Sequence, residues 1–72
     1  MSRKLNLSNA FEALHVGQSI FEAGSSVMAH RLRTRIGRFQ EKTKRQFTTN
    51  IIREHPDLYK SFCIGLRITR VK

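Results

Sequence analysis

In mid-chain the apolar residues change their spacing, and that change leaves few arrangements open. Met28, Leu32, Ile36 and Phe39 recur every three or four residues, the period of a helix with one apolar stripe. After Arg45 the period is two. Phe47, Thr49 and Ile51 alternate with Thr48, Asn50 and Ile52, and Phe62, Ile64, Leu66 and Ile68 alternate with Cys63, Gly65, Arg67 and Thr69. Successive residues of a strand face opposite sides, so each run has one apolar and one polar face. A striped helix and one-faced strands bury their apolar surface by packing helix on sheet.

The other elements are placed by local chemistry. Gly24-Ser25-Ser26 reads as a turn and helix start, in which a serine hydroxyl accepts an otherwise unpartnered backbone N–H. The helix is expected from Ser26 to about Arg45, roughly 30 Å long. Gly37 lies inside it, where glycine costs about 1 kcal/mol against alanine; either a close approach of another backbone, slightly the favoured reading, or simple tolerance of the cost would explain it. Before the helix, Gln18 to Phe21 reads as a short strand. Ahead of that comes a helical turn, Ala10 to Leu14, capped by Ser8 or Asn9, with Phe11 and Leu14 docking on the core. Glu54-His55-Pro56-Asp57 reads as a turn between the last two strands. The expected fold is therefore α+β: a helical turn, a short strand, one long basic helix, then two antiparallel strands. The helix lies on one sheet face, across Phe47, Ile51, Ile64, Leu66 and Ile68. Residues 1–72 form one small domain, with residues 1–7 as a loose arm, and a core this small is enlarged if the chain is a homodimer rather than a monomer.

The helix carries a second stripe. Arg31, Arg35, Arg38, Lys42 and Arg45 are spaced by 4, 3, 4 and 3. At 100° per residue they fall within about 40° of a common line, a quarter turn from the apolar one. Only Glu41 interrupts the cations between Arg31 and Arg53, whereas a merely solvated helix face mixes its signs. Guanidinium groups hold phosphate through paired hydrogen bonds. Arg33 and Lys44 lie on the far side of the helix and extend the basic surface if it wraps around. The formal charge of +9, from fourteen Lys and Arg against five Asp and Glu, favours a polyanionic partner. A second candidate surface is the open sheet face, with Thr48, Asn50, Arg67 and Thr69, though polar residues there are ordinary. Arg67 and Arg70 fall on opposite faces of a regular strand. Tyr59 and Phe62 are aromatic candidates for stacking on bases, but Phe62 opens the best strand and reads as core.

Other chemistry is thinly represented. One cysteine, Cys63, allows no internal disulfide and no multi-thiolate metal site, and in a strand it reads as a small apolar residue. His15, His30 and His55 are separated. The helix start lacks the spacing of a nucleotide-binding loop. These observations predict no enzyme, no metal and no cofactor. No run of residues has the length and apolarity of a secretory leader or a membrane span, so the expected location is cytoplasmic.

FEALHVGQSIFEAG, the basic helix, QFTTN and GLRITRV together resemble a family of small proteins of tailed phages. Its members carry an apolar turn, a V-G-x-S-aromatic strand, a helix, an F-T-T-R strand and a G-(V/L)-R-(V/I)-x-R strand. The likeness spans residues 11–71. It implies a compact α+β domain and nucleic-acid binding or regulation, such as control of transcription, in the host-cell cytoplasm. Asn50 stands where the family has arginine, and the loop from Arg53 to Ser61 is longer.

The leading expectation is a non-catalytic DNA-binding protein, DNA being favoured over RNA, that grips phosphates through Arg31, Arg35, Arg38, Lys42 and Arg45. The competing one is a host-takeover factor that uses the same cations to bind an acidic host protein, such as a polymerase, a nuclease or a defence complex.

Overall fold

The computed structural model describes residues 9–58 and 61–72. A 3₁₀ turn (Ala10–Ala13) precedes strand β1 (Ser19–Ala23), helix α1 (Ser26–Thr43), β2 (Phe47–Arg53) and β3 (Cys63–Arg70). The fold is the expected α+β arrangement. The expected arm at residues 1–7, the cap at Ser8 and the candidate Tyr59 all lie outside the described residues.

Both ends of α1 follow from side-chain chemistry. At its start the Ser25 hydroxyl accepts the Met28 N–H at 3.5 Å. At its end Lys44 turns left-handed, with φ 66°, and its N–H donates to the Gln40 carbonyl at 2.8 Å. Thr43 Oγ1 then accepts the Arg45 N–H at 3.3 Å, and Gln40 Oε1 accepts the Phe47 N–H at 2.7 Å. These two side chains satisfy the backbone while it turns from helix into strand. The helix therefore stops short of Arg45, which the spacing had placed on it. At Gly37 a Cβ would meet nothing within 4 Å, so the expected close backbone approach is absent and the glycine is a cost without a packing return.

The sheet order is β1-β3-β2, with β3 antiparallel to both neighbours. β1 and β2 thus run parallel to each other on either side of β3, joined by α1 as the crossover: a split β-α-β unit. Because α1 leaves the end of β1 and delivers the chain to the start of β2, it crosses the sheet diagonally. Phe11 and Leu14, from the 3₁₀ turn and the residue after it, reach the core as expected. The resulting core is Phe11, Leu14, Ala29, Leu32, Ile36, Leu66 and Ile68, with Ile20, Phe39, Phe47 and Cys63 packed against it. Phe11 is fully buried, its ring meeting Phe39 at 5.4 Å and Phe47 at 5.7 Å, both edge-to-face. A four-residue turn could not persist alone; this aromatic cluster holds it. Asn9 makes no side-chain cap there.

Diagonal crossing leaves the far end of β2 uncovered, and Ile51 is 39 % exposed. Ile64 departs from expectation for another reason. The register steps from Ile52 opposite Gly65 to Arg53 opposite Cys63, so Ile64 has no opposite residue on β2 and swings outward, 43 % exposed, while Cys63 packs on the core. A bulge of this kind breaks the alternation that sequence spacing assumes. Phe62 precedes β3 instead of opening it and is 76 % exposed, not core.

Candidate nucleic-acid interface

The register assigns each sheet residue a face, since directly opposed residues point the same way. Ile20, Leu66, Ile68, Phe47 and Thr49 share the face under α1. Phe21, Arg67 and Asn50, in line across the three strands, share the opposite one.

On the helix side, Arg31, Arg38 and Lys42 are all exposed and have no hydrogen-bond or ion-pair partner among the described residues. Arg35, on the same line, is half-buried, and its Nη1 donates to Asn9 Oδ1 at 2.6 Å. Arg45 has left the helix. Its Nη1 donates to the Glu12 carbonyl at 3.1 Å, and its guanidinium carbon lies 5.6 Å from the centre of the Phe39 ring. Two of the five predicted cations thus also pin the N-terminal turn, a task that spacing could not reveal. From Arg31 to Lys42 the helix rises about 16 Å, comparable to the span of about five phosphates along one strand of a duplex. Neighbouring cations on such a line stand about 5–6 Å apart, inside a Debye length of about 8 Å, so their potentials add. The one ion pair among the described residues, Glu54 with His55 at 3.9 Å, involves none of these cations.

The other predicted residues are not gathered here. Arg33 is exposed about half a turn round from Arg31. Lys44 is exposed at the left-handed corner beyond α1. Arg67 is on the open sheet face, with the sheet between it and the stripe. Arg70 is on the helix face, as its parity required, where Nη1 donates to the Leu14 carbonyl and Nε to that of Lys72, each at 3.0 Å.

The open face carries Arg67 and Asn50, both exposed, with Thr48 and Thr69 beside them. It also carries Phe21, 45 % exposed, which sequence reasoning passed over. The signal was available: Ile20 and Phe21 are consecutive in a strand, so if Ile20 faces the core, Phe21 cannot. The Gly24-to-Ser26 segment serves as an ordinary helix cap. Cys63 is half-buried, its thiol 3.6 Å from the Gly65 carbonyl and 3.7 Å from that of Gly24. No helix among the described residues is long and apolar enough to cross a membrane. No protein-family model matches the chain, and neither a curated protein nor a solved structure does.

Proposed function

We propose that this chain is a small, non-catalytic nucleic-acid-binding protein, with DNA as the favoured ligand, of the kind tailed phages encode. The observation that carries the reading is the state of Arg31, Arg38 and Lys42: open to solvent, aligned along one helix and unneutralised by any described carboxylate. Such a line attracts phosphate without regard to base sequence and releases counterions on binding. Arg35 adds the part of its guanidinium that Asn9 leaves free.

The test is a titration of fluorescently labelled duplex DNA at several salt concentrations, with wild type and a variant carrying alanine at Arg31, Arg38 and Lys42. Wild type is expected to bind with an affinity that falls steeply with salt, and the triple variant to bind much more weakly and with a shallower salt dependence while keeping its fold. Equal affinity of the two proteins would dispose of the proposal. Capture of the same acidic host protein from lysate with and without nuclease treatment would favour the takeover reading instead.

A further inference from the structure

We propose that the open face of the sheet is a second binding surface, which takes the unpaired bases of a single-stranded nucleic acid by stacking on Phe21 beside Arg67. The inference rests on the nucleic-acid reading for the class of ligand but not on the α1 stripe, since the sheet separates the two surfaces.

Three observations carry it. First, Phe21 is a half-exposed aromatic at the middle of β1. Its ring reaches across to β3, where the tip occupies the space that a side chain at Gly65 would need. The ring is therefore held in place before any ligand arrives, which reduces the ordering cost of stacking. Second, Arg67 lies directly opposite both Phe21 and Asn50. It has no hydrogen-bond or ion-pair partner among the described residues, so its guanidinium is available to a phosphate or a base plane. An aromatic ring, an arginine and a neutral amide in line on an open sheet are the groups by which sheets hold splayed-out bases. Third, no Asp or Glu lies on this face of the paired strands; Glu22 is on the other.

The third observation also decides against a second copy of the chain as the occupant. Two such faces in contact would enclose two Arg67 side chains with no carboxylate to pair with either, an unfavourable burial of like charges. A polyanion supplies the missing charge. The narrow face of a stacked duplex offers no free base to Phe21, whereas a single strand does.

The experiment compares wild type, Phe21→Leu and Phe21→Tyr for binding to labelled oligothymidylate, oligouridylate and a duplex of mixed sequence, with thermal melting of each protein. Leucine keeps an apolar side chain over Gly65 but removes the π face. Phe21→Leu is expected to weaken single-strand binding about tenfold or more, to leave duplex binding within about twofold, and to melt near wild type. Phe21→Tyr should bind single strands like wild type. The two oligonucleotides tell DNA from RNA, and either one responding supports the surface. Unchanged single-strand affinity in Phe21→Leu, with duplex binding intact, overturns this inference and leaves the α1 reading standing. No binding to any probe overturns both. A concentration-dependent dimer in sedimentation that Phe21→Leu abolishes also overturns it, in favour of a second copy. Should Phe21→Leu melt early, amide shift changes in wild type on adding oligothymidylate decide: changes around Phe21, Arg67 and Asn50 support the surface, and changes confined to α1 refute it.

Discussion

The tip of the Phe21 ring rests where a side chain on Gly65 would stand. A Cβ built at position 65 would meet Phe21 Cζ and would lie 2.6 Å from the Glu22 carbonyl oxygen. The glycine in the central strand and the aromatic residue on its neighbour are thus one arrangement: the missing side chain is the seat of the ring. Gly65→Ala is expected to destabilise the fold by about 1–3 kcal/mol, the usual cost of overpacking, as read from urea unfolding. Because the carbonyl is also in the way, removing the Phe21 ring as well should restore only part of the loss. A Gly65→Ala protein as stable as wild type would mean the ring does not sit there.

The cations of α1 divide into those that only face solvent and those that hold the chain. Replacing Arg31, Arg38 and Lys42 with alanine should reduce the log–log salt slope of DNA binding by about 3, near 0.9 for each phosphate no longer neutralised. Each single replacement should change stability by no more than about 0.5 kcal/mol. A binding curve whose salt slope ignores all three would place the interface elsewhere.

Arg45→Ala should behave differently. It removes a charge-assisted bond to the Glu12 carbonyl and a guanidinium over Phe39, so the expected cost is about 1–2 kcal/mol of stability. The contrast with Arg38→Ala, measured in the same denaturant series, is the informative quantity, and equal effects would contradict the division of roles.

Two positions in and after α1 are suboptimal and correctable. Gly37→Ala should stabilise by about 1 kcal/mol, since a Cβ there has open space and alanine is the better helix former. Lys44→Gly should stabilise by about 1 kcal/mol through relief of the left-handed conformation. A higher melting temperature for both variants is the expected result, and destabilisation by Gly37→Ala would reveal a neighbour for that position.

Phe11→Ala should be the most damaging core change. It empties a fully buried site and dissolves both edge-to-face contacts, at a cost of about 3–5 kcal/mol. At roughly 0.05–0.15 kcal/mol per residue, a chain this short has only about 4–11 kcal/mol in all, so the change removes a large share of it. Thermal melting followed by circular dichroism should show a much lower midpoint; a cooperative melt near that of wild type would argue that the 3₁₀ turn is peripheral.

Sequence spacing located features whose cause lies within a few residues of chain. Ser25 caps α1 because a serine hydroxyl reaches the N–H three residues on, and Leu32 and Ile36 are buried because a 3.6-residue period puts them on one line. Spacing misplaced features with a distant cause. Gly65, beside Ile64, is the one local hint of the bulge; where the register actually steps depends on the pairing of β3 with β2. Arg35 and Arg45 read as two more members of a stripe because their partners, Asn9 and Glu12, are 26 and 33 residues away. Phe21 was legible by parity but carried no motif to draw the eye.

The order of residues alone determined that there would be one helix with an apolar edge and a cationic edge, and strands with one face to bury, since these follow from backbone periodicity and the solvation of each side chain. Folding in three dimensions decided the rest: that β3 inserts between β1 and β2, that the helix crosses diagonally and needs Phe11 to complete its cover, and that Arg67 ends up behind the sheet from Arg31. Such choices depend on how apolar surfaces and backbone bonds from remote segments are satisfied together, and no local pattern contains that information.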